Sequence, residues 1–209
     1  YVKNKGIANE WWNFHDSGDP YYYGHIEIGG KTPSNYKNNG FILFASYHIL
    51  EKKFYIIGFY GGADFGIYSN PPQKLWTTLP DTIHTMIEND VQTGKISEDI
   101  LTELQKEPEF RWRGRKEIST AFQEFVDFDP KKFNISPWGQ SGYLKVGEGE
   151  KIPPNAVKGI LEQALKIHKN KLSSNEPEKE KLQEIVTKIQ TVLDLYFPGT
   201  EEKNYWQIA

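Results

Sequence analysis

Two neighbouring apolar runs constrain this chain more than anything else in it: "GFILFASYHIL" at residues 40–50 and "KFYIIGFYGGADFG" at 53–66, joined around Glu51, Lys52 and Lys53. Both are dense in β-branched and aromatic residues, which predicts two paired strands at the centre of a sheet. Gly58, Gly61 and Gly62 then mark a bulge or a close backbone approach as the second strand ends. A core built on such a hairpin points to an all-β or barrel-like centre.

Just upstream, "GDPYYYGHIEIGG" at residues 18–30 places three tyrosines in a row at the start of an alternating stretch. Side chains in a strand alternate with period two, so Tyr21 and Tyr23 share one face and Tyr22 takes the other. At least one tyrosine is therefore expected to point away from the core. Aromatic residues form 14% of the chain, with 6 Trp, 12 Tyr and 12 Phe. That is more than a core of this size requires, and part of the surplus is expected to meet a ligand.

Beyond the hairpin, "SNPPQKLWTTLP" reads as a loop carrying Trp76, because its paired prolines forbid regular structure. Pro80 suits a first helical position, and Ile83, Met86, Ile87 and Val91 form a helical stripe. Ser97 is placed to cap "SEDILTELQKE", with acids in its first turn. Residues 80–107 thus read as a helical insertion. "FRWRGRKEISTAFQEFVDF" (110–128) returns to strand character, with Arg111, Arg113 and Arg115 on one face and Trp112 on the other. A loop-rich stretch with Trp138 and Tyr143 leads to a helix opening near Pro154, whose apolar positions are Val157, Ile160, Leu161, Ala164, Leu165 and His168. A polar hinge follows, and then a second amphipathic helix through Leu182, Ile185, Val186, Ile189, Val192, Leu193 and Tyr196, stopped by Pro198 and Gly199.

With 209 residues the chain is expected to hold one main domain. The boundaries are placed at 8–172 for that domain, 173–200 for the hinge and C-terminal helix, and 201–209 for a linker. A first residue that is not Met and an end inside "NYWQIA" suggest a piece of a longer polypeptide. The absence of Cys rules out a thiol nucleophile, a disulfide framework and a cysteine metal site. It also fits a reducing interior, and low Cys and Met with abundant Lys and Glu suit a heat-adapted source. No apolar run reaches about 18 residues and no leader pattern opens the chain, so a cytoplasmic location is expected. A net charge of −3 argues against a uniformly basic nucleic-acid binder but leaves room for a local cationic patch.

Several chemistries can be set aside on spacing. "GYLKVGEGEK" has Glu148 where a phosphate loop needs its Lys. The five histidines share no ligand spacing, and Glu51-Lys52-Lys53 falls in a turn rather than at the strand end a metal nuclease requires. His15 beside Asp16 could form a general-base couple, which keeps a small ribonuclease as an alternative of another class. No cofactor is implied. The basic stretch carries more information, since Arg111, Arg113, Arg115 and Lys116 put four cations within six residues, and each arginine can fork to a phosphate. Trp11, Trp12, Tyr23, Trp76 and Trp138 lie in or beside Gly- and Pro-rich loops, where flat rings can stack on a nucleobase.

The order of these motifs, "YYYGHI", the paired strands "GFILFASYHIL" and "FYIIGFYGG", an insertion carrying a Trp, then a strand, loop and helix, resembles the EVE and YTH branch of the PUA-like fold over residues 8–170. The resemblance implies an α+β fold: a mixed, barrel-like sheet flanked by helices, with the helical insertion and a C-terminal helix added. It also implies an aromatic cage for a modified base, with Tyr23 as one wall and Trp76 as the opposite one, and with Trp12 and Trp138 nearby. This chain has Tyr where the pattern has Trp, and a longer insertion. Domains of this type also resemble the N-terminal targeting modules of archaeal McrB-type modification-dependent restriction proteins. That implies a DNA-binding reader that flips a methylated base into its pocket, followed by a GTP-hydrolysing AAA+ motor and served by a nuclease subunit. The fragment itself would not be an enzyme. An RNA reader is the alternative.

Overall fold

The apolar hairpin forms as its residue types require. In the computed structural model β2 (Gly40–His48) and β3 (Lys53–Tyr68) pair antiparallel from Gly40↔Ala63 to His48↔Lys53. The register slips twice, between Phe44 and Ala45 opposite Gly58 and Ile56, and between Gly40 and Phe41 opposite Ala63 and Gly61. Bulges thus fall at the expected glycines, but β3 does not end there and runs on to Tyr68. The structure describes residues 13–16, 18–24, 39–48, 50–68, 81–95, 97–105, 110–133, 152–174 and 178–198. Its other elements are β1 (Tyr21–Gly24), α1 (Asp81–Gln92), α2 (Glu98–Gln105), β4 (Phe110–Arg115), β5 (Thr120–Phe128), α3 (Pro154–Leu172) and α4 (Lys179–Tyr196). Short 3-10 turns occupy Lys116–Ile118 and Pro130–Phe133. Among the described residues, no helix is long and apolar enough to cross a membrane.

The fold is α+β, but the expected barrel does not close. The five strands form an open antiparallel sheet in the order β1-β4-β3-β2, with β5 also pairing β3. A strand has two edges. Residues 54–59 of β3 pair β2 and β5 at once, so β5 lies on the edge away from β2, the same edge that β4 takes. With a 3-10 turn between them, β4 and β5 therefore act as one interrupted strand along the 16 residues of β3. The sheet gains length rather than width, and among the described residues its end strands β1 and β2 do not pair with each other.

The chain divides into two compact units, Tyr1–Thr32 with Phe65–Arg113, and Pro33–Asp64 with Gly114–Ala209. The first holds β1, the end of β3, both insertion helices and most of β4. Acids stand in the first turns of its helices, Asp81 in α1 and Glu98 and Asp99 in α2, where they complement the helix dipole. The Ser97 carbonyl accepts the first α2 bond from Leu101 N–H at 3.1 Å, as an N-cap residue should.

The second unit owns the principal core. The sheet contributes Phe41, Ile56, Phe59, Phe122 and Val126, α3 contributes Val157, Leu161 and Ala164, and α4 contributes Ile185, Ile189, Val192 and Leu193. These helical positions recur at three- and four-residue spacing, so each helix turns one apolar stripe toward the sheet. Helix α4 is also held at its C-terminal end, where the Tyr196 hydroxyl accepts the Gly62 N–H at 2.8 Å and faces the carbonyls of Asn39 and Gly40 at 3.3 and 3.2 Å.

A polar ring is also wholly enclosed in this unit. His168 of α3 lies against Phe122, with ring centroids 5.4 Å apart. Its Nδ1 faces the Ala164 carbonyl at 2.8 Å, and since a carbonyl only accepts, Nδ1 carries the proton. Nε2 then accepts the Glu124 N–H at 3.3 Å. Burial holds the imidazole below its ordinary pKa, opposed by the Ala164 bond and by the carboxylate of Glu124, which itself pairs with Lys171. Below about pH 6.5 the unfolded chain takes up a proton that the folded chain resists. The stability contributed by the neutral ring is thus present above that pH and is lost as pH falls toward the folded value, at up to about 1.4 kcal/mol per pH unit. Urea midpoints measured from pH 7.5 to 5 are expected to fall more steeply for the native chain than for His168→Gln, and parallel curves would refute the assignment.

Candidate nucleic-acid interface

The tyrosine run becomes a strand because two aspartates organise its approach. Asp16 Oδ1 accepts the Gly18 N–H at 2.8 Å, and Asp19 Oδ1 accepts the Tyr21 N–H at 2.9 Å, two local turns of the kind Asp side chains stabilise. The second Asp19 oxygen, Oδ2, accepts the Tyr23 hydroxyl at 2.8 Å. In the sheet order β1 lies directly beside β4, so the aromatic run and the arginine-bearing strand are neighbours. Nothing in their sequence separation announces this.

The expected alternation is visible across that pair. The Arg113 guanidinium carbon stands 4.1 Å over the centre of the Tyr21 ring, a cation–π stack. Tyr23, two residues on, also interacts with Arg113, whereas Tyr22 packs edge-on against Phe14 at 5.9 Å. Tyr23 is only 7% exposed and its ring meets Phe110 at 5.7 Å. Burial first, and then the bond to Asp19, push its hydroxyl up to about 12, while Arg113 pulls in the opposite direction. Tyr23 is therefore an interior ring with its hydroxyl engaged. The half-buried Tyr21, which the sequence did not single out as a wall, is the tyrosine that carries an arginine.

On β4 the opposite face points inward. Trp112 is 4% exposed, with Phe65 6.2 Å away and Gly24 against its indole. Its Nε1–H has no hydrogen-bond partner among the described residues, and a buried unsatisfied donor costs about 1–3 kcal/mol. Of the four predicted phosphate contacts, Arg113 has Tyr21 as an aromatic partner. Arg115 pairs with Glu117 on an exposed surface, an interaction worth about 0–1 kcal/mol. Lys116 opens the following 3-10 turn and is half-buried. The side chain of Arg111 and the whole of Trp12, Trp76 and Trp138 lie outside the described residues. Asp16, half of the expected general-base couple, has one carboxylate oxygen engaged in the turn to Gly18. Among the described residues there is no group of three His, Asp or Glu side chains that could hold a metal ion.

The fold and this site define an α+β chain with an open antiparallel sheet and an arginine–tyrosine stack at its β1–β4 edge. Compared with protein-family models, with curated proteins and with solved structures, the chain matches none.

Proposed function

We propose that this chain is a nucleic-acid reader that grips the backbone with its arginine strand and stacks a modified DNA base on an aromatic wall. The observation that supports the reading is the stack of Arg113 on Tyr21 at 4.1 Å. A guanidinium held over a ring has already lost much of its rotamer freedom, so its N–H groups meet a phosphate or a base edge at a lower entropic cost. In this reading Tyr21 takes the stacking role that the resemblance gave to Tyr23, and Trp76 remains the second ring. Turning a base out of a duplex costs a few kcal/mol, and stacking returns about 1–3 kcal/mol per ring. A single methyl adds only about 0.8 kcal/mol, so discrimination needs a hydrogen bond to the base edge as well.

The test is a titration of labelled duplexes with and without methylated adenine or cytosine, and of matched RNA, at two salt concentrations. Arg113→Ala is expected to weaken binding by about 10- to 100-fold. Arg113→Lys should retain the salt dependence while recovering little affinity, because an ammonium lacks the planar fork of a guanidinium. Native affinity in Arg113→Ala would sink the reading. A preference for RNA over every duplex would replace DNA with RNA as the ligand.

A further inference from the structure

The outward face of β2, β3 and β5 carries rings that the sequence-based site did not include. Phe122 and Val126 of β5 point into the core, so by alternation Phe125 points out, and it is 55% exposed. Its ring lies 6.3 Å from that of Tyr55 at an angle of 51°, and His48 stands edge-on to Tyr55, also at 6.3 Å. Glu51 ties this group together. Its carboxylate accepts the Tyr55 hydroxyl, which pushes that hydroxyl up to about 12, and its N–H donates to His48 Nδ1 at 3.2 Å.

Cations collect at the same end of the sheet. Lys52 and Lys53 lie in and just after the β2–β3 turn, and Lys131 and Lys132 lie in the 3-10 turn that follows β5. The antiparallel register Phe54↔Phe128 brings the two pairs to one end. All four are exposed, and none is within ion-pairing distance of a carboxylate among the described residues. Among the described residues the acids there are Glu51, shared by Tyr55 and His48 and attracted by Lys53, Asp129, whose Oδ1 accepts the Lys131 N–H at 3.0 Å, and exposed Asp127. Arg115, by contrast, has its charge offset by Glu117.

We infer that this face is a second nucleic-acid surface, one that takes an unpaired strand: bases stack on Phe125 and Tyr55 while the four lysines hold phosphates. Paired bases in a duplex hide the faces these rings would meet, so the occupant is single-stranded. Four exposed lysines with no carboxylate within ion-pairing distance among the described residues favour a polyanion over a neutral protein partner. The inference takes its ligand class from the reading proposed above and rests on it to that extent, but all its residues belong to the second unit, whereas Arg113 and Tyr21 belong to the first.

The experiment is fluorescence anisotropy on the full chain, with oligo-dT and oligo-U of equal length and a duplex as probes, over a salt series. Phe125→Ala is expected to weaken single-strand binding by about 5- to 150-fold, and Phe125→Trp to restore it. The combined Lys53→Gln, Lys131→Gln, Lys132→Gln variant should reduce the log–log salt slope by about 2. Because these side chains are exposed, thermal melts of the variants are expected to match the native chain. Native single-strand affinity and slope in both variants would overturn the inference and leave the face to a protein partner. If Arg113→Ala alone abolishes binding, the second surface falls and the reader stands; if the native chain binds no probe, both fall. A difference between oligo-dT and oligo-U assigns the strand to DNA or RNA.

Discussion

A chain ended at residue 172 is expected not to fold cooperatively. Helix α4 buries Leu182, Ile185, Val186, Ile189, Val192 and Leu193, and full burial of one such side chain is worth about 1.5–3 kcal/mol. Six of them amount to about 10 kcal/mol or more, against a net stability of about 5–15 kcal/mol for a typical domain. Losing the helix relieves the entropy cost of ordering it. It does nothing for Phe41, Phe59, Val157 and Leu161, which belong to the same core cluster and would lose part of their cover. The Gly62 N–H would also lose its bond to Tyr196. The truncated chain should bind a hydrophobic dye, show no sharp urea transition and keep much of its far-ultraviolet signal, as a loosely packed collapsed state does. A single transition near the native midpoint would show that α4 is an appendage after all.

Alanine at two glycines is expected to act with opposite sign. At Gly24 a Cβ would overlap Nε1 and Cδ1 of the Trp112 indole. That ring is buried, with Phe65 against it, and cannot swing aside as an exposed side chain would. Overpacking a filled interior costs about 1–3 kcal/mol and occasionally more, and direct overlap with a rigid bicyclic ring belongs at the upper end. At Gly159, inside α3, the added methyl meets nothing within 4 Å. There the substitution removes the helix penalty of glycine and should stabilise by about 0.8–1 kcal/mol. Urea melts of the two variants test this, and equal shifts in the same direction would refute the packing argument. Displacing Trp112 should also disturb its neighbour Arg113, so under the reading proposed above Gly24→Ala is further expected to weaken nucleic-acid binding.

Local chemistry was legible wherever one segment carried its own pattern. The β2–β3 hairpin, the glycine bulge, the Ser97 cap, Pro154 at the start of α3 and the stripes of both C-terminal helices could be read directly, because periodicity and capping depend on residues only a few positions apart. The alternation of Arg113 against Trp112 and of Tyr21 with Tyr23 against Tyr22 was equally readable. Strand closure was not. Whether β5 adds a new strand or continues β4 along β3 depends on hydrogen-bond register between distant segments, and either outcome shows the same alternation along the chain.

Residue order alone determined that this chain builds a sheet around one apolar hairpin, carries two amphipathic helices behind it, and concentrates arginines on one strand face. Only the folded chain decided that Tyr23 is drawn inside while Tyr21 receives Arg113, that α4 belongs to the core, and that two separate lysine-bearing turns lie at one end of the sheet. The reason is physical. Periodicity sets which side of an element is apolar, but which neighbour covers that side, and which ring is left uncovered, is settled by competition among contacts far apart in sequence.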